Sequence, residues 1–251
     1  LVNTQKLLYL AKKLGSLKKF IYFSTAFVSG TLKGVITETQ KPQNFNNFYE
    51  QTKKEAEYAV ENFNIPYLIL RPSIVIGDTD IGYTKHFKVM YAVFRIWQNH
   101  FLSNYVPIDP KAIIDLIPID YLIKASVHFA FNPLALNKCI HVCSGPKAVT
   151  ALEIFKSAQE VFNIKNIDIL PKTILRLFLN PLAWYFLPSN IKTLINNMEI
   201  YFPYLYENKR WFNIEYLEKY FVPPPDYNQY AKKIWEFCLY TNWGKNAYPH
   251  K

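Results

Sequence analysis

The sequence predicts an α/β fold with a parallel β-sheet, and three stretches carry that expectation. KKFIYFSTAFV, residues 18–28, is a short apolar run rich in aromatic and β-branched residues, the pattern of a strand buried on both faces. FYEQTKKEAEYAVENF, residues 48–63, has helical spacing, and IPYLILRPSIVIG, residues 65–77, is a second buried-strand run punctuated by Pro72 and Gly77. Strand, helix and strand in that order are most simply a right-handed βαβ crossover.

The elements around this unit follow in chain order. LVNTQKLLYLAKKLG places Leu7, Leu8, Leu10, Ala11 and Leu14 at helical spacing, with Gly15 as terminator. Residues 29–47 form a loop marked by Gly30, Gly34, Pro42 and several asparagines. Asp120 is expected to cap the helix YLIKASVHFAF. CIHVCSG reads as a further strand, and Thr150 and Glu153 open the next helix as a capping box. Near the end, Asp226 is expected to cap an amphipathic helix carrying Tyr230, Ile234 and Phe237.

Half of the 251 residues are hydrophobic, enough for one large or two small cores. The 29 Lys and Arg against 19 Asp and Glu give a net charge of +10, which suits anionic partners such as phosphorylated cofactors or acidic lipid surfaces. The basic residues are scattered, so no nucleic-acid partner is expected. Three cysteines argue against a disulfide scaffold. Cys139 and Cys143 lie on one face of a strand about 13 Å apart, whereas ligands of one zinc lie within about 4 Å of each other, and no metal is expected. The longest apolar region, Ile169 to Ile195, is broken by Pro171, Pro181 and Pro188. It reads as short packed helices or as an apolar lid or membrane-surface patch. With no signal peptide or membrane span visible, the expected setting is cytoplasmic, with membrane contact limited to the periphery.

The helix beginning at Phe48 holds the chemistry. At about 100° per residue, Tyr49, Lys53, Ala56, Val60 and Phe63 fall within roughly 40° of one line. Glu50, Lys54, Glu57, Tyr58 and Glu61 then form a solvent face. Ser24 and Thr25 at the first strand end, Tyr49 at the helix start, and Arg71, Pro72 and Ser73 at the second strand end all meet at the carboxyl edge of the sheet, where open α/β folds bind ligands. A phenol one turn from an ammonium can have its pKa lowered and serve in proton transfer, with the Thr25 hydroxyl on the same substrate oxygen. The alternative is that Tyr49 caps the packing stripe and Lys53 extends to solvent.

FSTAFVSG, followed 24 residues after its Thr by YEQTK and then by LILRPSIVIGD, resembles the catalytic part of an extended short-chain dehydrogenase/reductase. Within that group it is most similar to the fatty acyl-CoA reductase and thioester reductase branch, and IIDLIPIDYLIKA resembles another segment of that branch. The resemblance covers Leu1 to about Phe162. It implies that Thr25 polarises the substrate carbonyl, that Tyr49 donates the proton, and that Lys53 lowers the Tyr49 pKa and holds the nicotinamide ribose. Ser24 falls in the cofactor site, and Pro72, Ser73 and Ile74 line the nicotinamide pocket. The cofactor implied is NADP or NAD, with NADPH favoured, and the substrate is a fatty acyl thioester reduced to aldehyde or alcohol.

The glycine fingerprint of the family's first βαβ unit is absent. The expected architecture is therefore the carboxyl half of a Rossmann-type doubly wound parallel sheet over residues 1–162, with a smaller, mainly helical substrate lobe over residues 163–251. An amino-terminally truncated chain of this kind is expected to bind dinucleotide weakly or not at all by itself. Two other functions stay open: a nucleotide-sugar epimerase or dehydratase of the same fold, for which Arg176 and Arg210 are the only arginines of the carboxyl part, and a non-catalytic interaction or membrane-surface module.

Overall fold

The computed structural model describes residues 1–88, 90–99, 101–170, 185, 192, 202–206 and 209–246, with residues 101–103 described by their backbone alone. Helix α1 spans Val2–Lys13, β1 Phe20–Phe23, β2 Gly34–Ile36 and α2 Phe48–Glu61. Next come β3 (Tyr67–Pro72), β4 (Ile74–Ile76), α3 (Met90–Gln98), β5 (Phe101–Val106) and β6 (Ile113–Ile114). They are followed by β7 (Leu116–Pro118), α4 (Ile119–Phe131), β8 (Lys138–Val142), β9 (Val149–Thr150) and α5 (Ala151–Phe162). The last elements are β10 (Asp168–Ile169), α6 (Phe202–Leu205), β11 (Arg210–Phe212), α7 (Glu215–Tyr220) and α8 (Ala231–Tyr240).

Two compact units result, both discontinuous in sequence: Leu1–Ile76 with Asp115–Ala148 and Arg210–Asp226, and Gly77–Ile114 with Val149–Lys209 and Tyr227–Lys251. In the first, a parallel sheet runs in the order β1-β3-β8, with Phe20 opposite Tyr67 and Leu68 opposite Lys138. Past Ser73 the chain continues as β4, which changes neighbour and pairs in parallel with β7. The crossover β1-α2-β3 is thus the one that the sequence predicts, and Leu8, Val60 and Ile69 form a fully buried cluster between the helices and the sheet. Burial of each such side chain stabilises by about 1.5–3 kcal/mol.

Two expectations about these elements change. β1 is not buried on both faces: Ile21 and Phe23, which share one face of the strand, are 36% and 46% exposed. In α1 only Leu8 and Ala11 are buried, while Leu7, Leu10 and Leu14 stay exposed. A short parallel pair, β2 with β11, brings Arg210–Phe212 into the first unit.

The second unit packs around aromatic rings. Phe94 lies 4.3 Å, centroid to centroid, from both Phe155 and Trp235. The indole of Trp235 donates to Ser157 Oγ at 2.9 Å, and Ser157 also meets the Tyr227 hydroxyl at 2.9 Å. Helix α5 opens with the expected Thr150–Glu153 capping box. On α8, Tyr230, Ile234 and Phe237 are buried as the amphipathic pattern requires, but the helix begins at Ala231, too far along for Asp226 to cap it. Asp120 likewise stands inside the first turn of α4, with Pro118 as the capping position, and pairs with Lys124 at 3.7 Å. Most of Ile169 to Ile195, including Arg176, lies outside the described residues. Among the described residues no helix is long and apolar enough to cross a membrane.

Asp115, immediately before β7, ties the end of β8 to the β4–β7 pair. Its carboxylate oxygens accept the Ser144 and Gly145 amides at 2.8 and 2.9 Å, immediately after β8, and its main-chain carbonyl accepts the Ile74 amide at 3.2 Å. Gly145 has φ +55°, and a Cβ there would press on Ile214. Burial pushes the Asp115 carboxyl up to about 6, against the pull of these hydrogen bonds. Asp115→Asn removes one acceptor and sets an NH₂ against a buried amide, so it should lower the unfolding free energy in urea at pH 7 by about 1–3 kcal/mol. A carboxyl whose folded pKa is raised favours the fold in its protonated form. The gap between wild type and Asp115→Asn should therefore widen as pH falls from 7 toward 5, and a constant gap would contradict the burial of this charge.

Candidate active site

The loop leaving β1 is held at both ends before it delivers α2. Thr25 caps a 3₁₀ turn over Ala26–Ser29, its Oγ1 accepting the Phe27 amide at 3.3 Å. Gly30 follows in the left-handed region at φ +58°, where a Cβ would collide with the Asn44 carbonyl. Asn47 caps α2 by accepting the Glu50 amide at 3.0 Å. Glu50 is itself fully buried, gripped by the Asn46 amide at 2.8 Å and by Asn46 Nδ2, which also donates to Gly30 O at 3.1 Å.

This framing sets Tyr49 against Thr25. The Thr25 hydroxyl lies near enough to the phenol to act on it electrostatically, and Thr25 Oγ1 donates to the Pro72 carbonyl at 3.5 Å, so the ends of β1 and β3 and the start of α2 meet as the crossover geometry requires. Tyr49 is 54% exposed as a residue and thus open to a ligand. Lys53, one turn on, donates to Phe23 O at 2.8 Å and lies 5.2 Å from the centre of the Tyr22 ring. The expected lowering of the Tyr49 pKa is not what this arrangement produces. Burial around the hydroxyl raises it, and the nearby Thr25 hydroxyl only partly opposes the rise. Lys53 spends its ammonium on a strand carbonyl instead, and burial lowers its own pKa while Glu57 opposes that.

The solvent face assigned to α2 is also corrected. Glu50 and Glu57 are fully buried and Lys54 nearly so, alongside Ala56 and Val60. Measured from Tyr49, these five span about −20° to 140° around the helix, so the buried arc is turned toward the acidic flank. Pairing makes this burial affordable: Arg71 grips Glu57 with two bonds, Nε–Oε1 at 2.8 Å and Nη2–Oε2 at 2.7 Å, and Lys54 adds a third at 2.9 Å. Arg71 Nη1 also donates to Glu38 O at 3.0 Å. Arg71 thus sits beneath α2 and is not offered to a ligand. His141, beside it on β8, is fully buried, with Nδ1 3.0 Å from the Asn213 carbonyl, and burial brings it down to about 3, so it stays neutral.

Ser24 and Ser73, at the ends of β1 and β3, give this edge the character of a binding site. Both hydroxyls are buried, and neither has a hydrogen-bond partner among the described residues, although Ser24 lies near Glu57 and Ser73 near Asp115. Buried hydroxyls without partners are costly unless a ligand supplies them. With the Lys53 ammonium and the Pro72 carbonyl alongside, the polar groups at this edge suit the ribose and carboxamide of a nicotinamide nucleotide. No cluster of metal-ligating side chains occurs among the described residues.

Residues 1–126, half of the chain, match the family model described as male sterility protein, an NAD-binding domain. The chain belongs to the male sterility protein family. It is 26% identical over 184 residues to a Drosophila melanogaster protein provisionally named a fatty acyl-CoA reductase, a match covering 58% of this chain and 34% of that protein. Among solved structures, the terminal R domain of the myxalamid biosynthetic pathway superposes with a TM-score of 0.76 at 19% identity, over 98% of this chain and 64% of that one. UDP-glucuronic acid 4-epimerase from Bacillus cereus, solved with NAD, gives 0.64 at 19% identity over 94% of this chain and 67% of that one. RMD from Pseudomonas aeruginosa, solved with NADPH, gives 0.65 at 17% identity over 94% and 73%. The chain thus has the extended short-chain dehydrogenase/reductase fold and spans about a third of the length of the fatty acyl-CoA reductase relative that it matches.

Sequence reasoning missed Glu57, Arg71 as its partner, and Asp115. A glutamate four residues after Lys53 and an arginine before Pro72 were the available signals, yet no hydropathy pattern separates a buried ion pair from a solvated one. The site makes a direct prediction. In a spectrophotometric titration, the difference between wild type and Tyr49→Phe should show a phenol ionising above 10, and Thr25→Val should raise it further. A Tyr49 midpoint below 10 would contradict the geometry described.

Proposed function

We propose that the protein containing this chain is an NAD(P)H-dependent reductase of fatty acyl thioesters, with NADPH as the favoured donor. The observation that supports this reading best is the meeting of Thr25, at the end of β1, with Tyr49, at the start of α2, with Lys53 one turn away and beside them Ser24 and Ser73, whose hydroxyls lack a hydrogen-bond partner among the described residues. Membership of the family and the likeness to a fatty acyl-CoA reductase point the same way.

In this proposal Lys53, Ser24, Ser73, Pro72 and Ile74 hold the cofactor. Bound NAD(P)H supplies the hydride. The Thr25 hydroxyl donates a hydrogen bond to the acyl oxygen and steers it toward Tyr49. The Tyr49 phenol, whose pKa burial raises further, is protonated at neutral pH and so is in the form needed to give a proton to that oxygen as negative charge develops there. Collapse of the resulting hemithioacetal passes its hydroxyl proton, by way of Tyr49, to the departing sulfur, so that a thiol leaves and an aldehyde remains.

The nucleotide-sugar alternative lacks a matching observation in the first unit. Arg210, the arginine that a diphosphate would need, is buried, donating to Gly30 O at 2.7 Å and to Ser29 Oγ at 3.3 Å. Likeness to epimerases at under a quarter identity reports the fold and not the substrate.

Purified full-length protein should oxidise NADPH in the presence of a long-chain acyl-CoA. Tyr49→Phe should lower kcat/KM by about 10²–10⁴-fold, and Thr25→Ala by about 10–10³-fold. Turnover of a nucleotide sugar with none of acyl-CoA would overturn this reading.

A further inference from the structure

Glu57 occupies an unusual place for a residue outside the reacting groups. It lies one turn beyond Lys53 on α2, fully buried, and its carboxylate is bonded by Arg71 from β3 and by Lys54 from its own helix. Arg71 immediately precedes Pro72 and Ser73, so a single carboxylate joins the helix that carries Tyr49 and Lys53 to the strand end that faces them.

We propose that Glu57 is a positioning residue: clamped by Arg71 and Lys54, it fixes the height and rotation of α2 over the sheet, and with them the reach of Tyr49 and Lys53. This extends the proposed function, on which its catalytic readout rests. Two bonds to a planar guanidinium define an orientation as well as a distance, which a single contact cannot do. A shift or rotation of α2 would move Lys53 relative to Phe23 O and Tyr49 relative to Thr25 together.

Charge supports the same role. Burial alone would raise the Glu57 carboxyl, but the bonds and charge of Arg71, followed by Lys54, hold it below the usual carboxylate range, so it is an anion at neutral pH. That anion acts on Lys53 and opposes the loss of its proton. The groups facing Glu57 from other elements are Tyr22 on β1, Arg71 on β3, Cys139 and His141 on β8, and Glu38 through Arg71. Cys139, pushed up to about 12, and His141, brought down to about 3, are both neutral. Glu57 is therefore the carboxylate whose charge bears on Lys53.

Two substitutions separate charge from position. Glu57→Gln keeps the shape and removes the charge; Glu57→Asp keeps the charge and withdraws it by one methylene. The titration of Lys53 is read on the chain without cofactor, by NMR of ¹³C-dimethylated lysines, with Lys53→Arg to assign the signal. Glu57→Gln should lower the Lys53 midpoint by about one unit, and Glu57→Asp should lower it less. In the full-length enzyme Glu57→Asp should reduce kcat by roughly 10–10²-fold with little change in KM. An unchanged Lys53 titration in both variants, or an unchanged kcat in folded Glu57→Asp, overturns the positioning role. If the titration shifts while wild type reduces no acyl thioester, the reductase reading fails and the positioning role stands on the titration. Should neither Glu57 variant fold, Arg71→Lys, which keeps the charge and loses the paired bonds, decides the matter by the same two readouts.

Discussion

A carboxylate with no exposure, held by a guanidinium and an ammonium, is the constraint on which this site depends. Bringing three charged groups under a helix carries a desolvation penalty of several kcal/mol per ion, and only close, directional pairing offsets it. Once Glu57 and Arg71 are paired, α2 has one rotation over the sheet that leaves no charge unmatched. Val60 and Ala56 meet the strands under that rotation, and Tyr49 is carried out to the sheet edge at the amino end of the helix. Hydrophobic burial supplies much of the stability, but it is less directional than a two-bond ion pair.

The second anchor is the loop between β1 and α2. Gly30, Asn46, Asn47 and the buried Glu50 fix where the helix starts, while the pair at Glu57 fixes its middle. Between these two points lie Tyr49 and Lys53. Their placement differs from a simple phenol–ammonium couple: Thr25 is the group beside the phenol, and Lys53 is bonded to the end of β1. A protonated phenol beside a hydroxyl donor suits reduction, where a proton must be given. Asp115 performs a comparable service on the far side of the sheet, where it holds the turn after β8 against β7.

Much of this was legible in the order of residues. Two apolar runs flanking a helical pattern sufficed for the parallel crossover, because strand burial and helix spacing are short-range signals. The meeting of Thr25, Tyr49, Pro72 and Ser73 followed from that topology alone. What failed was the assignment of faces on α2: Glu50, Lys54 and Glu57 were placed in solvent because periodicity sorts residues by polarity, whereas burial of a charge depends on a partner elsewhere in the chain. Arg71, 14 residues from Glu57, could not be matched to it by pattern. The pairing of Gly34–Ile36 with Arg210–Phe212 was invisible for a related reason, since three-residue strands carry almost no periodic signal. Asp120 and Asp226 were misjudged as caps because helix ends shift by a few residues with little change in pattern.

The central claim is that Glu57 and Arg71 act as one unit that seats α2. A double-mutant cycle in urea, using Glu57→Gln, Arg71→Met and the two combined, measures that directly. The account predicts that Arg71→Met alone, which strands a buried carboxylate, costs about 3–5 kcal/mol. It also predicts that the combined variant loses less than the sum of the two by at least about 1 kcal/mol. Losses that simply add would mean that the two side chains stabilise the fold independently, and the account would be wrong.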